Sequence, residues 1–199
     1  MSITKKIILW ILIGATTLLI YFSAYLPYAK SRAYINAIRT AQNLRSVDEF
    51  KNVFDKVFNF YSPVGSEEVV KFLSNDVLNL ISQGQAAEDV SRLLVEYIEP
   101  HFFDENVRHM ITGARMYETL WSRHGRKEEY FQKSEEYYLK TYAIGPKLPP
   151  VLYGLANLYL NHGDFDKAKK LAEEILKYWP DDDRLKPLLN LPPAVTISN

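Results

Sequence analysis

Between Lys6 and Lys30 the chain runs for 23 residues without a charge, IILWILIGATTLLIYFSAYLPYA. Ile7 to Leu26 is 20 residues, and as a helix it rises about 30 Å, the thickness of one hydrocarbon core. Trp10 near one end and Tyr21, Tyr25 and Tyr28 near the other suit the aromatic belts of the two membrane interfaces. Pro27 follows the apolar run, where a kink or a stop is tolerated. The rival to an uncleaved anchor is a signal peptide, whose apolar region spans about 7–15 residues before a small-x-small site. Phe22-Ser23-Ala24 and Pro27-Tyr28-Ala29 both place the wrong residue three before the cut, so the pattern predicts an anchor.

After Pro27 the apolar spacing is helical throughout, with no sustained strand alternation. Ser31 to Asn43 is a first helix. Ser46-Val47-Asp48-Glu49 is a capping box that opens a second, on which Phe50, Phe54, Val57, Phe58 and Tyr61 form an apolar stripe ending near Pro63. Ser66, Glu67 and Glu68 open the next helix, which closes around Gly84, and residues 86–98 form its partner. Residues 105–123 and 128–143 make a third pair, closed by Gly145-Pro146. Residues 150–162 and 165–178 make a fourth, closed by Pro180, with a short helix at 183–190 beyond it. The tail 191–199 has two prolines and no periodicity, and is expected to be flexible. The boundaries expected are a tail and membrane helix over 1–30 and a helical-hairpin domain over 31–190.

The third and fourth pairs repeat. Pro146 and Pro180 are 34 residues apart, while the inner turns His124-Gly125 and His162-Gly163 are 38 apart, so the third turn is expected to be about four residues longer. The fourth pair reads LYGLANLYLNHGDFDKAKKLAEEILKYWPDD. Its Leu155, Ala156, Tyr159, Gly163, Phe165, Ala168, Ala172 and Pro180 resemble the signature positions of the tetratricopeptide repeat. The best repeat is 150–180. Ala156 and Ala168 are small enough for two helices to approach, Leu152, Leu155 and Tyr159 face the partner helix, and Gly163 permits the turn. In the third pair Gly125, Tyr138 and Pro146 match, and Ser134 replaces the usual alanine. In the first pair Phe50 and Phe54 fill the small-residue slots, a departure that implies a looser hairpin. Together the apolar run and the resemblance imply an all-α fold: one N-terminal transmembrane helix from the run, then, from the resemblance, a right-handed solenoid of tetratricopeptide-like hairpins.

Composition sharpens this picture. The net charge is zero, from 24 bases and 24 acids, yet six bases precede the first acid, Asp48. Residues 1–47 therefore carry +6, and the 18 bases and 24 acids that follow carry −6. The balance argues against a nucleic-acid binder. Absent cysteine excludes disulfides, thiolate metal sites and a thiol nucleophile. Lys5 and Lys6 before the span and Lys30, Arg32 and Arg39 after it leave little charge bias. A short tail before a long domain favours a cytoplasmic N-terminus and an extracytoplasmic domain.

The catalytic motifs are missing: no phosphate-binding glycine loop, no Gly-x-Ser-x-Gly and no His-Glu-x-x-His. The best metal candidate is His101, Asp104, Glu105 and His109, but Asp104 also suits a helix N-cap with Glu105 in the first turn, and the histidines suit a surface. No catalytic, cofactor or metal residue is assigned, and no cofactor is expected. Tyr117, Tyr130, Tyr137, Tyr138 and Tyr142 suit packing better than ligand stacking. A candidate concave groove combines Tyr153, Asn157 and Asn161 with the equivalent Arg115, Thr119 and Arg123, groups that suit a carboxylate, an acidic peptide or an anionic glycan. The function expected is a non-enzymatic, membrane-anchored adaptor that holds a protein partner at the cell envelope, with lipid met through the N-terminal helix. A second resemblance, carried by YINAIRTAQNL and FKNVFDKVFNFYSP after a span ending in proline, is to the C-terminal part of bacterial O-antigen ligase-like proteins. It implies an accessory subunit in envelope polysaccharide assembly. A small metal-dependent envelope hydrolase is a third reading, resting on His101 and His109 alone.

Overall fold

A computed structural model describes residues 2–190, so the expected tail at 191–199 lies outside the described residues. Every regular element among the described residues is helical. They are α1 (Ile3–Ile20), a π-helical turn (Tyr21–Tyr25), α2 (Leu26–Ala41), α3 (Val47–Phe58), α4 (Ser66–Ser82), α5 (Glu88–Ile98), α6 (Val107–Arg123), α7 (Glu128–Ile144), α8 (Pro149–His162), α9 (Phe165–Tyr178) and α10 (Lys186–Leu189), with short 3-10 turns at Glu99–His101 and Asp183–Leu185. The chain forms two compact units, Met1–Leu73 and Ser74–Asn199, and the division falls inside α4.

In the first unit the chain does not stop at Pro27. Ile3 to Ala41 is one run of 39 helical residues, about 58 Å long, so residue 30 lies inside a continuous helix. Proline lacks an N–H and its ring crowds the carbonyl four residues back. The π turn ahead of it relieves this: the Leu26 N–H reaches the carbonyl of Tyr21, five residues back rather than four. The helix's most apolar 18-residue stretch has a mean hydropathy of 2.2 and none of that stretch is buried. The three aliphatic hydroxyls of the uncharged run are spent on the helix itself: Thr16 donates to Leu12 O (2.8 Å), Thr17 to Ile13 O (2.9 Å) and Ser23 to Leu19 O (2.6 Å). That satisfies them without water.

The same helix becomes part of a packed core as soon as the apolar run ends. Leu26, Lys30 and Ala37 are buried on α2, which packs against α3. Lys30 directly follows the uncharged run in sequence, yet it is only 2 % exposed. Its ammonium donates to Phe60 O (3.1 Å) and Ser66 Oγ (2.7 Å), tying α2 to the connection that precedes α4. Burial lowers its pKa from the ordinary lysine value. Ser46 caps α3 as expected, its Oγ accepting from Glu49 N (3.1 Å). Glu49 reaches back to the N–H of Arg45 (3.0 Å), one residue earlier than in the usual capping box. Phe54 is fully buried and its ring lies tilted against that of Phe50 with the centroids 4.5 Å apart, so aromatic bulk fills this first helix pair.

In the second unit, α6 packs on α7, α8 on α9, and α7 on α8. Leu152, Leu155 and Tyr159 are buried on α8, as are Ala168 and Ala172 on α9. Gly163 adopts a left-handed conformation (φ 99°) that closes the α8–α9 turn. Ser134 stands in an alanine slot without cost because its buried hydroxyl donates to Ala114 O on α6 (2.9 Å). The extra length of the third pair is shared rather than placed in its turn. The connection is residues 124–127 against 163–164, and α7 has 17 residues against 14 in α9. At the C-terminal end Leu185 inserts against Leu152, Ala156, Ala172 and Ile175, with Leu188 and Leu189 of α10 beside it. The segment after α9 thus covers an apolar end, the role of a terminal cap.

Candidate partner-binding face

The six groove candidates fall on two neighbouring helices. Arg115, Thr119 and Arg123 lie on α6, Tyr153, Asn157 and Asn161 lie on α8, and α6 packs against α8. Arg115, Asn157 and Asn161 are exposed, and Thr119 is half-buried with its hydroxyl turned onto Arg115 O (2.7 Å). Two members have other employment. Arg123 donates to Ser82 O at the end of α4 (2.8 Å) and its guanidinium lies against Gly84. The Tyr153 hydroxyl donates to Asp182, the Arg184 guanidinium lies 5.2 Å over its ring, and Arg184 with Tyr153 holds the Asp182 carboxyl well below the usual range. Arg126 was not among the candidates. Its guanidinium reaches Asn161 O (3.4 Å) and packs over the Trp121 ring, joining the α6–α7 connection to the end of α8.

The α6 face is basic because its one carboxylate is turned inward. Arg108, Arg115, Arg123 and the following Arg126 are opposed on this segment by Glu118 alone. Glu118 accepts from the Tyr138 hydroxyl (3.2 Å). Burial raises its pKa from the ordinary glutamate value, against the pull of Tyr138 and Arg115. The 38-residue offset places Glu118 at the slot of Ala156, a position where this fold wants a small apolar side chain. An acid there was the available signal for an inward-turned, half-buried group, and the sequence reading did not pick it out.

Tyrosine hydroxyls on carboxylates are the dominant polar device of the second unit. Tyr117 (2.6 Å) and Tyr137 (2.8 Å) both donate to Glu99, Tyr130 to Glu88 (2.8 Å), Tyr159 to Glu135 (2.7 Å) and Tyr142 to Glu174 (2.7 Å). Each bond ties one helix to another element, so the aromatic richness is structural. Burial pushes the hydroxyls of Tyr117, Tyr137, Tyr138, Tyr130 and Tyr159 far above the ordinary tyrosine value.

The metal candidates take separate places. His109 is not a surface residue: it is 1 % exposed, lies among Phe102 and Phe103, and its Nδ1 accepts from Phe103 N (3.2 Å). His101 packs on Tyr97 in the short 3-10 segment after α5. Asp104 is not the cap; Asn106 accepts from the N–H groups of Arg108 (2.9 Å) and His109 (3.3 Å), and α6 starts at Val107. No group of three or more such ligands comes together among the described residues.

Residues 128–191 match the tetratricopeptide repeat family. The matched stretch runs from the first residue of α7 through α10, so it takes in more than the repeat legible at 150–180. Tetratricopeptide units stack into surfaces that bind other proteins, which makes a protein-interaction scaffold the coarse reading of this region. Neither the curated proteins nor the solved structures gave a match.

Proposed function

We propose that the chain is a membrane-tethered, non-catalytic adaptor. Its N-terminal helix crosses a bilayer, and its second unit, a short right-handed stack of tetratricopeptide-like hairpins, holds a protein partner at the cell envelope. The observation that carries the tethering is the 39-residue helix, which passes from an unburied apolar run straight into the α2–α3 core with no linker. Tethering confines partner and adaptor to one surface and raises the effective concentration of a weakly held segment. The flanking charge is nearly balanced, with Lys5 and Lys6 on one side and Lys30, Arg32 and Arg39 on the other, so the orientation rests on the short tail ahead of a long domain, which favours a cytoplasmic N-terminus and an extracytoplasmic domain.

The face proposed for the partner is the exposed row of Arg115, Asn157 and Asn161 with Thr119, flanked by Arg123 and Tyr153 in supporting positions. A guanidinium beside two amides suits an acidic peptide segment. Site-specific photocrosslinking in cells tests this. A benzophenone at Asn157 should capture a discrete protein partner, and Arg115→Glu should reduce that product at least tenfold with helicity unchanged. The same product from a benzophenone at exposed Lys170 on α9, undiminished by Arg115→Glu, would overturn the choice of face.

A further inference from the structure

The first unit holds a cavity of about 520 Å³ between α2 and the start of α4. Pro27, Tyr34, Ile35, Val69 and Phe72 line it, and Ser31 and Glu68 supply polar groups. Its volume falls in the range of small-ligand sites, about 300–1,000 Å³. An open apolar hollow of this size is unfavourable to leave facing water. Ile35 and Phe72 remain 47 % and 49 % exposed beside it.

Its position supplies the occupant. Pro27, the first lining residue, directly follows Leu26, the last residue of the apolar run. The helix is continuous there, so the cavity starts where the hydrocarbon core ends. Ile35, nine residues past Leu26, lies about 13 Å further along the axis. An apolar hollow that starts at the bilayer boundary is presented with lipid chains at very high local concentration. We infer that this cavity takes one acyl chain from the adjoining leaflet, drawn out of the bilayer along α2 and held against Ile35, Val69 and Phe72. This inference rests on the membrane-anchor reading. The bound chain would widen the anchor at its exit and hold the first unit against the lipid surface.

Full-length protein in vesicles containing a phospholipid with a diazirine at the chain terminus tests it. That probe sits deep in the bilayer, so it labels residues 7–26 in any anchored protein. The expected result is additional labelling of peptides containing residues 31–35 and 68–72. Ile35→Gln with Phe72→Gln, both at exposed positions, should cut that additional labelling at least fivefold and leave the span labelling unchanged. Labelling confined to residues 7–26 would overturn the acyl site while keeping the anchor. Labelling at neither place would overturn both. Crosslinks from Ile35 to another protein's helix in place of lipid would also overturn it.

Discussion

Gly154→Ala should lower the thermal midpoint of the second unit by about 10 °C, a loss of about 3 kcal/mol. A methyl group costs little in most helices, and alanine is the better helix former. Here a Cβ on Gly154 would lie 2.7 Å from the Tyr138 hydroxyl oxygen and closer still to its ring. Tyr138 is 2 % exposed and has no free space to retreat into. Its hydroxyl also holds the half-buried Glu118 carboxyl on α6 (3.2 Å), so displacement of the ring unties α6 from α7 as well as α7 from α8. Circular dichroism melts of the full chain in detergent measure the effect. In a Tyr138→Leu background, Gly154→Ala should cost less than about 1 kcal/mol, because the colliding ring is gone. Equal costs in both backgrounds would show that Tyr138 does not pack on Gly154.

Glu99→Ala should cost about 3 kcal/mol and Glu99→Gln about 1 kcal/mol. The alanine variant leaves two buried hydroxyls, on Tyr117 and Tyr137, without their shared acceptor. Those rings stack 6.0 Å apart on the same carboxylate, and both residues are less than 10 % exposed. The glutamine variant keeps an acceptor oxygen and loses only the charge. Tyr117→Phe with Tyr137→Phe should erase most of the Glu99→Ala cost, since no hydroxyl is then left to satisfy. The pH dependence follows from the same groups. Burial and Glu99 raise both tyrosines above the ordinary value of 10.0. Their neutral forms are therefore favoured in the folded state, and the stability they confer is full below pH 10 and falls as pH rises above it. Each contributes a slope of about 1.4 kcal/mol per pH unit. The double phenylalanine variant should flatten the alkaline loss of stability, and an unchanged alkaline profile would count against the shared site.

Helix positions were legible because each is punctuated by its own chemistry. Ser46 caps α3, Gly163 closes the α8–α9 turn, and the 34-residue spacing of Pro146 and Pro180 marks the repeat. Two features escaped, one through a local backbone adjustment and the other through contacts distant in sequence. Pro27 looked like a place for a stop, but a π turn one step earlier carries the helix through it. Lys30 reads in the sequence only as a charge flanking the span, yet a carbonyl and a hydroxyl 30 and 36 residues away draw it inside. The groove candidates came from helical spacing alone, which identifies a face but not its neighbours. Arg123 and Tyr153 share that face, and the end of α4 and the segment after α9 supply them with partners. Asp104 lost its capping role to Asn106, two residues on, a shift that spacing cannot resolve.

The chain contains no cysteine, so single cysteines report topology against a silent background. Ser2→Cys and Asp183→Cys, each in the full-length protein, can be exposed to a membrane-impermeant maleimide in intact cells with a permeable outer envelope. The expected result is labelling of residue 183 but not residue 2, with residue 2 becoming reactive only after the membrane is breached. Labelling of both before the membrane is breached, or loss of the residue 2 site from the mature chain, would contradict a single-span anchor holding the helical domain outside the cytoplasm.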